Sequence, residues 1–264
     1  MRCKFLFTIG LLASVAAGRG SAVAADLAPP PEAPPPVPDW VGFYVGVHGG
    51  GGWGQTSYQP EFVSNSALLL AVAPPNASPS GGLVGGQAGY NWQWGPVVGG
   101  LEVDFSGADL SDTATHPIPI PSVTPPSPLT NFTFTREAKI NELASARGRL
   151  GYVFLPNLLF YGTAGVGWGH SELNTTQLDN TSGVFVSSSS FSNEIGWVAG
   201  AGLEWKFWDH WLLRGEYLHY DFGRHNDNAT PNFFFPGVTT PPFALPESTR
   251  TTIDVARAAL SYKF

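Results

Sequence analysis

The sequence is short of charge, of sulfur and of long apolar runs. Asp, Glu, Lys and Arg make up 12% of its 264 residues, against roughly 25% in ordinary soluble domains. Its 13 basic residues are outnumbered by 20 acidic ones and form no cluster, which argues against a nucleic-acid partner. With one Cys, neither a disulfide framework nor a Cys-based zinc site is available. No apolar run reaches the ~18 residues of a spanning helix. There is no His pair at ligand spacing, no Asp-x-Asp-x-Asp-Gly loop and no Gly-x-Ser-x-Gly elbow. No metal, cofactor or catalytic site is therefore expected, and no enzyme. Gly49-Gly50-Gly51-Gly52 and Gly165-Val166-Gly167 open no helix and read as crowded strand positions rather than phosphate loops. What is abundant is Gly (32), Pro (24) and aromatic residues, nine Trp among them.

Residues 1–25 read as a secretory leader cleaved on Sec export. Arg2 and Lys4 begin it, Phe5 to Ala17 is apolar, and Ala22-Val23-Ala24-Ala25 supplies small residues for the cut. Cleavage removes Arg2, Lys4 and Arg19, so the 13 basic residues fall to 10 against 20 acidic ones, and the only Cys is lost. Asp26 to Asp39 then holds seven Pro in 14 residues. This is a stiff, extended periplasmic tether with no capacity to form a core.

From Trp40 to Phe264 the apolar period is two, which indicates strands. The clearest stretches are Gln87–Trp94, Gly99–Gly107, Ala144–Phe154, Trp197–Phe207 and Ala256–Phe264. Weaker ones are Trp40–Gly50, Leu158–Gly169 and Trp211–Phe222. Three connections are tight, at Gly95-Pro96, Leu155-Pro156-Asn157 and Trp208-Asp209-His210. Four are long, over 53–82, 110–139, 171–193 and 223–250. An all-β, eight-stranded antiparallel up-and-down transmembrane β-barrel, with short periplasmic turns and long extracellular loops, has this asymmetry.

The two faces of the strands differ in kind. One carries Glu102, Asp104, Arg147, Arg149, Glu204, Lys206, Arg214, Glu216, Arg257 and Lys263. The other is almost free of charge, apart from His219 and Asp221 near the loop end. A Lys or Arg facing lipid at mid-depth costs about 2–4 kcal/mol, so the charged face lines the lumen. Eight strands leave an interior that side chains nearly fill, and buried charges must pair. A ladder of ion pairs plugging the lumen is expected. The lumen glycines Gly46, Gly50, Gly100, Gly165, Gly167 and Gly202 leave space, which keeps a narrow pore as an alternative. Trp40, Trp92, Trp94, Trp205 and Trp211 gather at the short-turn end and Trp168 and Trp197 at the loop end, as girdles at two membrane interfaces.

Trp40-Val41-Gly42-Phe43-Tyr44-Val45-Gly46, Ala146-Arg147-Gly148-Arg149-Leu150-Gly151-Tyr152, Glu216-Tyr217-Leu218-His219-Tyr220-Asp221-Phe222-Gly223 and the terminal Leu260-Ser261-Tyr262-Lys263-Phe264 resemble segments of the α-proteobacterial outer-membrane β-barrel family of porin-like surface antigens. That family is similar to the OmpA-type barrel. The resemblance covers the strands and not the long loops. It implies an abundant structural protein of the Gram-negative outer membrane, a surface antigen, and leaves conduction undecided. Leu260, Tyr262 and Phe264 on one face resemble the insertion signal read by the outer-membrane assembly machinery. The implied partners are outer-membrane lipid, lipopolysaccharide and that machinery, for a monomeric barrel. Arg136, Lys139, Arg224 and Arg250 are the candidates for lipopolysaccharide phosphates. Three functions stay open: a structural barrel with a charge-paired lumen, a small diffusion channel, or ligand or host binding through loop patches such as Phe233-Phe234-Phe235 and Ala67–Ala71.

Overall fold

The computed structural model describes residues 39–60, 76–120, 130–180, 185–229 and 245–264. The leader, the tether up to residue 38 and the two apolar loop patches lie outside the described residues. Eight strands follow one another: β1 (Gly42–Pro60), β2 (Ser80–Trp94), β3 (Val97–Ile120), β4 (Thr130–Leu155), β5 (Leu158–Asp179), β6 (Phe185–Lys206), β7 (Trp211–Ala229) and β8 (Leu245–Lys263). Each pairs antiparallel with the next, and β8 closes on β1. The tight turns fall where the sequence places them. At the β2–β3 turn Gly95 takes φ 59, a left-handed conformation that glycine adopts without a Cβ penalty.

The strands are longer than their apolar alternation indicates. β2 has 15 residues and β4 has 26, whereas about 9–11 tilted residues cross a membrane. Much of what reads as loop is therefore strand. β3 and β4 pair up to Ile120↔Thr130, and β5 and β6 up to Leu178↔Phe185. Above the membrane both faces of a sheet meet water. Stretches such as Ser111-Asp112-Thr113-Ala114-Thr115 lose apolar alternation but keep the β-branched Thr that favours strands. The Gly-rich start of β2 is silent for a different reason: glycines carry no hydropathy signal.

Inside, side chains form three layers. Trp40, Val98, Leu159, Tyr161 and Leu212 pack together at the turn end. Leu83, Leu110, Ile140, Leu143, Val198, Leu218, Tyr220, Phe222, Ile253 and Val255 form a larger apolar layer toward the loops. The charged side chains lie between. Long side chains lie over several of the inward-facing glycines. A Cβ on Gly202 would overlap the Tyr161 hydroxyl, and one on Gly89 the Tyr44 hydroxyl. One on Gly167 would lie 2.7 Å from the Tyr220 ring, and one on Gly85 2.7 Å from His48 Nε2. At that closeness neighbouring atoms must shift, which costs about 1–3 kcal/mol in a filled interior.

Inward and outward glycines should thus respond differently to one methyl group. A Cβ at Gly165 would overlap the Ala146 carbonyl and lie 2.7 Å from Arg147 Cα, whereas at outward-facing Gly162 its nearest neighbour is 3.9 Å away. We expect Gly165→Ala to lower the refolded fraction seen by heat-shifted gel mobility and Gly162→Ala to leave it unchanged. Equal refolding of the two variants would contradict this packing.

Candidate functional site

The charged layer is built by register. Glu102 on β3 lies opposite Arg147 on β4. Glu204 on β6 lies opposite Arg214 on β7, and Glu216 on β7 opposite Arg257 on β8. Directly opposed residues share a face, so each pair points into the lumen together. The pairs then join across the interior. Arg147 reaches Glu102 at 2.6 Å, Asp104 at 2.9 Å and Glu216 at 3.1 Å. Arg214 bridges Glu102 at 2.6 Å and Glu204 at 2.7 Å. Arg257 bridges Glu216 at 2.7 Å and Asp104 at 3.0 Å. Arg149 reaches Glu204 at 3.2 Å. None of these side chains is more than 3% exposed. Four arginines meet four carboxylates, so the layer has no net charge.

Neutral groups complete the layer. Tyr44 Oη donates to Glu102 at 2.6 Å and accepts from Arg149 at 3.1 Å. Tyr161 Oη donates to Glu216 at 2.7 Å, and its ring lies 4.3 Å from the Arg149 guanidinium. Ser145 donates to Asp104. His48 is held at both ring nitrogens. Gln87 gives its amide N–H to Ser261, which leaves its oxygen to accept from His48 Nδ1 at 2.9 Å. His48 Nε2 is then the acceptor for the Ser106 hydroxyl at 2.7 Å and lies 3.3 Å from Arg257 Nη1. Burying an ion costs several kcal/mol even after relaxation, and these extra bonds offset that cost.

Eight of the ten charges expected in the lumen network meet in this layer. The two lysines do not. Lys263 lies at the turn-end mouth, 3.4 Å from Asp39, and Lys206 makes no ion pair among the described residues. Both stand at the last inward position of their strands, and Lys206 lies directly opposite Leu212.

Trp40 itself is a correction. It is 0% exposed and packs inside the barrel with Leu159 and Leu212, so it is not part of a girdle. Its backbone N–H donates to Gln93 at 2.8 Å. It precedes β1, so strand alternation does not govern its direction. Trp92, Trp94, Trp197, Trp205 and Trp211 are exposed on the outer wall, and Trp168 is half-exposed there. Leu260 and Tyr262 on β8 face outward and Phe264 follows just beyond the strand, with Tyr262 edge-on to Trp211 and to Phe264.

Sequence alternation does not mark Tyr44 and Tyr161 as partners of the charges. Tyr44 sits among Phe43 and Val45, where hydropathy hides its parity. Its spacing by two from Gly46 and His48 was the available signal.

Among the rim cations, Arg136 is buried. Lys139 pairs with Glu137 at 2.7 Å, which holds that carboxyl below the usual range and the amine above its own. Arg250 pairs with Asp221 at 2.7 Å, and Arg224 is exposed. His219 donates to Asp254 at 2.7 Å on the outer wall, where Tyr217 donates to the same carboxylate at 2.6 Å.

An eight-stranded barrel with an apolar outer wall, aromatic girdles and a polar lumen defines a β-barrel protein of the Gram-negative outer membrane. The chain matches the model of the outer membrane protein beta-barrel domain family over residues 12–239 and belongs to that family. It is similar to the 31 kDa outer-membrane immunogenic protein of Brucella melitensis biotype 1, 30% identical over 271 aligned positions that cover 100% of both chains. The 22 kDa outer membrane protein of Rhizobium leguminosarum bv. viciae is 32% identical over 191 residues, 71% of this chain and 66% of that one. Among solved structures, the outer membrane protease OmpT of Escherichia coli superposes with a TM-score of 0.50 at 9% identity, covering 86% of this chain and 97% of that one. That likeness shows the fold alone.

Arg147 contacts three carboxylates, so Arg147→Gln strands Glu102, Asp104 and Glu216 in part. Removing one partner of a buried ion pair costs about 3–5 kcal/mol. Lys206→Gln, outside the layer, should stay within about 0.5 kcal/mol of the parent. Urea unfolding of the refolded barrels, followed by Trp fluorescence, separates the two. Equal stability would contradict the layer as described.

Proposed function

We propose that this protein is a structural surface protein of the outer membrane whose lumen is closed. The observation that carries the reading is the neutral charged layer held between two apolar layers. A conducting path through a barrel needs a hydrated line of polar groups from mouth to mouth. Here the lysines at the periplasmic mouth are separated from the arginines by Trp40, Leu159 and Leu212, and Leu110, Leu143, Leu218 and Ile253 lie on the other side. The role that follows is mechanical and antigenic: a stable barrel that holds extracellular sheets on the cell surface. No reaction is assigned to it.

The same reading includes partners. Lipid contacts the apolar wall between the girdles. Lipopolysaccharide meets the loop-end girdle, where Arg136 is buried and Lys139 and Arg250 are already paired with carboxylates. The assembly machinery reads Leu260 and Tyr262 on the outward face of β8 and Phe264 just beyond the strand. A monomer is sufficient, since the barrel closes on itself within the membrane and leaves no strand edge there.

Single-channel recording in a planar bilayer tests the closed lumen, with correctly folded protein verified by gel shift. We expect no stepwise current. Reproducible steps that change in size with Glu102→Gln or Arg147→Gln would establish the diffusion-channel alternative instead.

A further inference from the structure

Above the membrane the barrel wall splits between β6 and β7. β6 pairs with β5 along its length, from Leu158↔Trp205 to Leu178↔Phe185. It pairs with β7 only from Lys206↔Leu212 to Trp197↔Asp221. Beyond Trp197, residues 185–196 of β6 have one neighbouring strand among the described residues. β7 continues to Ala229, paired there with β8 alone. The parting is built into the chain. The register of β7 shifts between Asp221 and Arg224, and Gly223 lies in the shift at φ 74. A bulge with a left-handed glycine bends a strand and turns it away from its neighbour. The carboxylate of Asp221 holds the bend, accepting from Gly223 N at 2.8 Å and from Arg250 Nη2 at 2.7 Å.

Among the described residues, two strand edges therefore border one lateral gap. Alternate residues of an antiparallel strand direct their N–H and C=O groups to a given side, so every second residue of 185–196 presents both groups to the gap. Proteins commonly blunt such edges with Lys or Pro. The stretch Phe-Val-Ser-Ser-Ser-Ser-Phe-Ser-Asn-Glu-Ile-Gly that begins β6 contains neither. Phe191 lies on the outer face of this edge, 65% exposed, and Ile195, 66% exposed, lies at its foot, opposite the girdle residue Trp168. At the foot of the gap, Arg224 is exposed and has no ion-pair partner among the described residues, while Arg250 opposite it is taken by Asp221.

We propose that this gap receives one extended segment of another protein. The segment adds as a strand to the edge of β6, as in recognition by strand addition. It lays alternate apolar side chains beside Phe191 and Ile195 and offers a carboxylate to Arg224. The site is independent of whether the lumen is closed, so conductance does not bear on it.

Amide exchange of the full refolded chain in lipid nanodiscs, resolved by NMR, tests the proposal. The probe is a ten-residue peptide of alternating Val and Thr ending in Glu. Without it, every second amide of 185–196 should exchange at least tenfold faster than the others. Adding it should slow those amides at least tenfold. Arg224→Glu should abolish the slowing, and a peptide ending in Lys should restore it. Several results would overturn the proposal: amides that are already protected and become exposed when 230–244 is deleted, protection that grows with protein concentration, no response to the peptide, or a response indifferent to Arg224→Glu. The first would mean that the chain fills its own gap, and the second that another copy does.

Discussion

The four arginines of the lumen are buried side chains that carry charge, and the rest of this structure follows from that constraint. Burying a lone charge costs several kcal/mol, so each arginine of the lumen must find carboxylates within reach. Three of the four arginines find one directly across the ladder. The register of β3 with β4, of β6 with β7 and of β7 with β8 is therefore tied to charge pairing as well as to the apolar wall. A slip of one residue would move the arginines onto the lipid face, where each costs about 2–4 kcal/mol. Pairing inside and exclusion from lipid outside select the same alignment.

Filling the lumen places a second demand on the chain. The long inward side chains need clearance, and glycine on a nearby strand, often the directly paired residue, provides it. Tyr161 reaches over Gly202, Tyr44 over Gly89 and Tyr220 over Gly167. The hydroxyls of Tyr44 and Tyr161 then satisfy Glu102 and Glu216. These glycines accordingly mark places that a tyrosine covers.

The barrel was legible because lipid imposes a period of two on the wall that no soluble sheet shares so strictly. The strand order, tight turns and the eight charges of the central layer follow from that period. It fades where water meets both faces, which is why the extracellular ends of β3 to β6 read as loops. It fails for Trp40, which precedes the first strand, and for Lys206 and Lys263, which keep the right parity but lie at the turn-end mouth. The partners of each charge were not legible either. The cross-strand ones depend on register and the cross-lumen ones on barrel closure, and neither is a local property of the sequence. The split between β6 and β7 depends on where ladder pairing stops, which Gly223 alone could only hint at.

The central claim is that the arginines of the lumen are sealed from water. The exchange rate of their guanidinium protons, resolved by NMR on the folded barrel in nanodiscs, measures this directly. The account predicts slow exchange for Arg147, Arg149, Arg214 and Arg257, with fast exchange at exposed Arg224 as the internal reference. Exchange at Arg147 and Arg214 as fast as at Arg224 would mean that water reaches the layer, and the closed lumen would be wrong.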